Sequence, residues 1–187
     1  MFILRKIWAF LVDTIQSILI AAAIFLVIYI FLFRPFQVSG QSMFPNFHDK
    51  EYVLTNLITL RLGPIARGDV IVFKAPPDPE KDFIKRIIGV PGDTVMVQGG
   101  NVYVNGQQYD ESSYLNPSVR TFGGTFLKDN DTITVPTGEY FVMGDNRPYS
   151  SDSREWGFVP AGNIIGKSFF VYWPLNEMRG VTNPLTK

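Results

Sequence analysis

The sequence predicts a mainly β protein: an antiparallel β-sheet domain preceded by one N-terminal transmembrane helix. Three observations predict it. The first 33 residues hold much of the chain's apolar excess and include a long uncharged run. From residue 35 the pattern changes to short apolar runs of four to eight residues separated by Gly, Pro and Asn. No long stretch of 3.6-residue periodicity follows the first helix, which leaves antiparallel strands as the building unit.

The helix comes first. Residues 17–33 carry no charge and are rich in Ile, Leu, Phe and Ala. With Thr14, Ile15 and Gln16 the run reaches about 30 Å at ~1.5 Å per residue, enough to span a bilayer core. Arg5 and Lys6 flank its N-terminal end, Trp8 lies nearby as an interfacial aromatic, and Arg34-Pro35 ends it. Two basic residues before the span and one after it favour an N-terminus inside and the rest outside. A buried core helix would be an alternative, but the run is apolar on every face. A cleavable leader with Val38 and Gly40 at its −3 and −1 positions is another; the run is long for that, and Arg34-Pro35 intervenes. The expected organisation is a cytoplasmic stub and anchor over residues 1–34 and an extracytoplasmic domain over 35–187.

The strands follow in order. Asp69-Val70-Ile71-Val72-Phe73 reads as a buried strand after an Arg67-Gly68 turn, and residues 83–90 as another, ended by Pro91-Gly92. Residues 94–97 and 102–104 read as a hairpin with Gly99-Gly100 at its turn, followed by an Asn105-Gly106 turn. Residues 132–135, 139–143 and 168–173 complete the set. Residues 105–131 are polar and irregular, so about 94–140 is expected to be partly a cap inserted between core strands. The last strand, around Phe169 to Trp173, is apolar on both faces. Core burial accounts for most of it, and contact with the bilayer for one or two aromatics.

Composition removes several function classes. Seventeen Lys and Arg balance 17 Asp and Glu, so there is no basic footprint for nucleic acid. There is no cysteine, which excludes a thiol nucleophile and disulfides and leaves little basis for a zinc site. No metal or cofactor is implied. The one histidine, His48, sits beside Asp49 and Lys50 and reads as a solvated turn residue, with service as the base of a serine hydrolase the alternative.

That leaves a serine and a lysine. Ser42-Met43-Phe44-Pro45 follows directly on the anchor, and Lys85 lies in Phe83-Ile84-Lys85-Arg86-Ile87-Ile88. A serine hydroxyl needs a base, and a lysine serves if it is neutral when it acts. Apolar burial disfavours the ammonium; moving from ~10.4 to ~7–8 corresponds to on the order of 4 kcal/mol. Local pattern allows two readings of Lys85: buried among its apolar neighbours, or pointing outward and paired with a carboxylate. Alternation places it with Phe83 and Ile87 on one face.

Taken together, the runs Ser39-Gly40-Gln41-Ser42-Met43-Phe44-Pro45, Arg67-Gly68-Asp69-Val70, Lys85-Arg86 through Pro91-Gly92-Asp93, and Gly144-Asp145-Asn146-Arg147 through Ser150, Asp152, Ser153 and Arg154 resemble the type I signal peptidases, membrane-anchored Ser/Lys proteases. The match runs from the anchor to about Trp173. The resemblance implies Ser42 as nucleophile, Lys85 as general base, and Ser150 as the residue that hydrogen-bonds and orients the lysine amine. It implies the Ser42 backbone N–H as an oxyanion donor. Some members add a hydroxyl two positions earlier; Gly40 stands there, leaving its backbone, water or nothing. Arg86, Asp145, Asp152 and Arg154 are implied as a structural charge network.

The resemblance also implies cleavage after small residues at −1 and −3 of exported preproteins. The substrate would lie extended between Phe36-Gln37-Val38 and the strand of Lys85. Phe36, Val38, Phe47, Val53, Val72 and Ile84 are the candidate pocket residues, with core burial an alternative for Val53 and Val72. The implied partners are preproteins, the lipid bilayer and, by proximity, the translocation machinery; the implied location is the plasma or inner membrane, single-pass. Departures from the family pattern are Asn46 in place of threonine and Pro148-Tyr149 in place of Asp-Asn. A self-cleaving Ser/Lys repressor-type protease and a catalytically inactive peptide-binding module are the competing readings. The transmembrane helix opposes the first, and the presence of both Ser42 and Lys85 opposes the second.

Overall fold

The structure is a computed structural model that describes residues 2–58, 63 and 65–185. Its first element, α1, runs Phe2–Phe31, 30 residues. Residues Phe2–Tyr29 are long and apolar enough to cross a membrane, with mean hydropathy 2.3 and none of the span buried inside the protein. That exposure removes the core-helix alternative, since a core helix would be covered. The hydroxyls of Thr14 and Ser17 donate to the carbonyls four residues earlier (2.7 and 2.8 Å), so neither brings an unsatisfied polar group into apolar surroundings.

The helix differs from the sequence expectation at both ends. It begins well before the uncharged run and takes in Arg5, Lys6 and Asp13. It stops at Phe31, and Phe33 already belongs to strand β1, Phe33–Gln37. β1 pairs antiparallel with β2, Tyr52–Asn56, in the register Phe36 opposite Val53. Neither strand is visible in the sequence pattern. β1 contains Pro35, which cannot donate to a ladder; it is tolerated because β1 is the edge strand.

The remaining strands are β3 (Val70–Ala75), β4 (Asp78–Gly89), β5 (Thr94–Gln98), β6 (Asn101–Val104), β7 (Gln107–Gln108), β8 (Thr132–Thr134), β9 (Glu139–Met143), β10 (Val159–Pro160), β11 (Ile164–Trp173) and β12 (Arg179–Gly180). They form two antiparallel sheets. The larger has the order β1-β2-β11-β3-β4-β9-β10 with β12 on β11; the smaller is β7-β6-β5-β8. Asn105 and Gly106, both at positive φ (54° and 75°), make the tight turn from β6 to β7 that the Asn-Gly pair predicts.

One apolar cluster joins the sheets. Ile88, Phe141 and Met143 of the larger pack against Val95, Val97, Val102 and Val104 of the smaller, with Leu127 and Val135 between them. Leu127 belongs to the irregular stretch after β7, so that stretch contributes to the core. A second cluster, around Ile71, Phe73, Ile87 and Val142, fills the centre of the larger sheet. A third, Val38, Met43, Phe47, Val53, Val70 and Val171, lies beneath the turn that carries Ser42. On β11, Val171 is buried while Phe169 and Trp173 are exposed.

Candidate active site

β4 delivers Lys85. Its partner register sets Ile84 opposite Val72 and Lys85 opposite Ile71, and alternation turns Lys85 toward the segment that carries Ser42. Of the two readings left by the sequence, the structure has the buried one: Lys85 is 3% exposed. Among the described residues no carboxylate pairs with it; its Nζ donates to Ser42 Oγ at 2.7 Å and to the Ile84 carbonyl at 3.0 Å. The Phe83 ring lies 5.1 Å away. Burial lowers the Lys85 pKa to about 8, against a smaller upward pull from the charges of Asp152 and Asp145.

Ser42 is fixed by its neighbours. Met43, 1% exposed, anchors the turn in the core below. Asn146 N donates to the Ser42 carbonyl (3.0 Å), and Asn146 Nδ2 donates to the Gln41 carbonyl (2.9 Å). Asn46, the departure from threonine, donates through Nδ2 to the Tyr114 carbonyl and to Asp145 Oδ2, both at 2.8 Å. Sequence reasoning gave neither asparagine a role. The signal was available in their positions inside the two short runs.

The run from Gly144 to Arg154 folds over the lysine strand. Arg86 Nε and Nη2 grip both oxygens of Asp145 (2.8 and 2.7 Å), and Nη1 reaches the Gly68 carbonyl at 2.9 Å. Asp152 receives Arg154 Nε and Nη2, each at 2.8 Å, and the Gly144 N–H at 3.0 Å. A side chain at Gly144 would collide with Ser150 Oγ and the Ser42 carbonyl, so glycine lets the run close onto the Ser42 turn. Arg147, missed as a network member, is fully buried. It pairs with Glu111 and donates to Thr121 Oγ1 and the Gly144 carbonyl, tying the irregular stretch to the site.

Ser150, Gly40 and Phe47 depart from the expectations. Ser150 Oγ is buried beside Gly144 with no hydrogen-bond partner among the described residues; the expected bond to the lysine amine is not formed. The Gly40 N–H is already engaged, donating to Asp49 Oδ1 at 2.7 Å, so it is not free to serve an oxyanion. Phe47 is core: 3% exposed beneath the Ser42 turn, with the Arg179 guanidinium 5.7 Å from its ring. His48 is half-exposed, its Nδ1 3.2 Å from Glu51 Oε1.

A cleft of about 270 Å³ opens in front of the pair. Phe36, Val38, Val53, Val72 and Ile84 line it, together with Gln37, Ser39, Gly40, Gln41, Asp82, Phe83, Tyr149 and Ser151. Both flanks are strand edges. β1 ends the sheet order, and β9 pairs with β4 only from Arg86 to Gly89, leaving 82–85 without a strand on that side. Among the described residues no group of three or more His, Asp or Glu is placed to hold a metal ion.

The family described as signal peptidase, peptidase S26, matches residues 11–173 of this chain. Signal peptidase IB of Staphylococcus aureus is 35% identical over 185 residues, covering 93% of this chain and 95% of the relative. Signal peptidase I T of Bacillus subtilis is 38% identical over 168 residues, covering 88% and 86%. The crystal structure of a signal peptidase I from Enterococcus faecalis is 32% identical, with TM-score 0.46, over 56% of this chain and 97% of that one. With the family model spanning most of its length and relatives above 30% identity along nearly all of it, the chain belongs to the signal peptidase family, peptidase S26.

Proposed function

We propose that Ser42 is the nucleophile and Lys85 the general base of this signal peptidase. As a member of its family the enzyme is a membrane-anchored serine endopeptidase that removes signal peptides from preproteins. The observation that carries the residue assignment is the 2.7 Å contact between Lys85 Nζ and Ser42 Oγ, made by a lysine that is buried and has no carboxylate partner. When the amine is neutral, the Ser42 O–H donates to it across the same contact. Oγ attacks the scissile carbonyl as Nζ takes the proton, and the Ser42 backbone N–H donates to the oxyanion. The lysine ammonium then returns the proton to the leaving amine. Water attacks the acyl-enzyme with Lys85 again as base.

Ser150 joins as the residue that orients the amine. A protonated Nζ has three hydrogens and two partners in the structure, and the unpartnered Ser150 Oγ lies beside the Ser42 turn. The signal peptide adds as a strand between the two edges flanking the cleft. On β1 the Val38 N–H and C=O are used by Glu51 and Lys50, so alternation leaves those of Gln37 and Ser39 for the substrate. Phe36, Val38, Val53, Val72 and Ile84 form the shallow apolar floor that admits small side chains at −1 and −3. Arg86, Asp145, Asp152 and Arg154 hold this frame without touching the reaction.

α1 anchors the enzyme in the plasma or inner membrane with its N-terminus cytoplasmic, as the basic residues before the span favour. The exposed Phe169 and Trp173 rest against the bilayer, and the site meets its substrates as they leave the translocation machinery. The test is cleavage of a preprotein in detergent by the full chain. Ser42→Ala and Lys85→Ala are expected to be inactive and His48→Ala active. Full activity of folded Lys85→Ala would remove the dyad.

A further inference from the structure

We infer that Asp49 is a positioning residue for the nucleophile turn, and that it does this by accepting the Gly40 N–H and so fixing the backbone two residues before Ser42. The inference rests on the Ser42/Lys85 reading above. Its basis is a ladder that changes hands. The Val38 N–H donates to the Glu51 carbonyl (2.7 Å) and the Lys50 N–H to the Val38 carbonyl (2.8 Å), so β1 continues past its regular end. The next rung belongs to Gly40, whose N–H points the same way as that of Val38. No main-chain carbonyl meets it, because the opposing chain turns away at Lys50 (φ 69°). The Asp49 side chain supplies the missing acceptor at 2.7 Å.

Two consequences follow for the reaction. Gly40 sits at φ 87°, a conformation available to many backbone alternatives in a free glycine, and only two residues before Ser42. Asp49 removes those alternatives and so fixes the path from Ser39, at the free strand edge, to Ser42 Oγ. The same bond turns the Gly40 N–H toward Asp49, and the oxyanion is left with Ser42 N–H as its backbone donor. Asp49 is exposed and belongs to no apolar cluster, so its effect on the reaction separates from any effect on folding.

The experiment is steady-state cleavage of a preprotein by the full chain in detergent, with Asp49→Ala, Asp49→Ser and Asp49→Asn, and the melting temperature of each. Asp49→Ala and Asp49→Ser, which cannot reach the Gly40 amide, are expected to lose about tenfold in kcat with KM within about threefold of wild type. Asp49→Asn keeps an acceptor oxygen and is expected to recover most of the loss. All three should melt close to wild type. Unchanged or raised kcat in folded Asp49→Ala overturns the inference, and a raised value marks the Gly40 amide as a donor that Asp49 withholds. An equal loss in Asp49→Asn also overturns it, since an acceptor would then not be the point. Ser42→Ala and Lys85→Ala run alongside: if they cleave, the dyad has failed, and if they are dead while Asp49→Ala is normal, only this inference has.

Discussion

Two neighbouring cations on β4 are buried in opposite ways. Lys85, 3% exposed, has a hydroxyl and a carbonyl for company and no carboxylate bonded to it. Arg86, 4% exposed, has both oxygens of Asp145 and the Gly68 carbonyl. Burial lowers the Lys85 pKa, whereas for Arg86 the Asp145 bond overcomes burial and raises it. A strand makes this possible, since consecutive residues face opposite sides. One side is the apolar cleft, where the proposed base must be able to lose its proton. The other is the seam where the run from Gly144 to Arg154 must be clamped. A charge that is to be used in acid–base chemistry is left unpaired at a cost in stability; a charge that is to hold structure is paired.

Removing the amine breaks the comparison most sharply. Lys85→Met should lower kcat/KM by a factor on the order of 10³ or more, measured on a preprotein in detergent. It should also raise the melting temperature at pH 7. The folded-state pKa of about 8 lies below the 10.5 of a free lysine side chain. At any pH below 8 both folded and unfolded chains carry the proton, and the folded chain bears the full cost of burying it, up to about 3 kcal/mol. That cost fades as pH rises from 8 toward 10.5. The same pKa fixes the activity profile: wild-type kcat/KM should climb with pH and level off above about 8, tenfold per unit on the acidic limb. A profile flat from pH 6 to 9 would mean the amine is not the base.

Removing the guanidinium next door should do the reverse to stability. Arg86→Met leaves Asp145, 1% exposed, with the Asn46 amide as its remaining side-chain donor. Breaking a buried pair from one side costs about 3–5 kcal/mol, read from urea or thermal unfolding. Arg86→Met with Asp145→Leu should recover part of that loss, because no charge is then left buried alone. If the single and double variants are equally unstable, packing rather than charge holds the seam. A smaller effect of the same kind is expected farther out. Glu111→Gln takes one carboxylate from Arg147, which keeps Thr121 and the Gly144 carbonyl, and should cost about 2 kcal/mol.

The sequence made the helix, most strands and the Ser42–Lys85 pairing legible, and it did so unevenly. β3, β9 and the β5–β6 hairpin announce themselves through β-branched runs and Gly or Asn-Gly turns. β1 and β2 do not, because Arg34 and Pro35 interrupt the first and the second is defined mainly by its partners. Lys85 was ambiguous because alternation says which face a residue shares, not whether that face is covered. What covers it is Ser42, 43 residues away in sequence. Gly40 stayed open between three readings, and Phe47 was placed in the pocket rather than beneath it, for a related reason. Whether an amide is free, or a phenylalanine lines a cleft or lies beneath it, depends on Asp49 and Arg179, whose contacts no local pattern encodes.

His48 tests the comparison from its weak end. Histidine is the usual base of a serine hydrolase, and the chain has no other. Its ring is half-exposed and spends Nδ1 on Glu51, which is itself held by two bonds from Arg179. Burial pushes the Glu51 carboxyl up, but Arg179 and the His48 N–H outweigh it, so the carboxylate stays charged with or without the ring. His48→Ala keeps that backbone N–H and the Arg179 pair. The expected losses are at most about 1 kcal/mol of stability and a change in kcat/KM within about twofold. The unfolding curve and the preprotein assay have to be read together. Lost activity with an unchanged melting temperature would move the base from the buried lysine to the exposed imidazole, and the contrast between Lys85 and Arg86 would lose its chemical meaning.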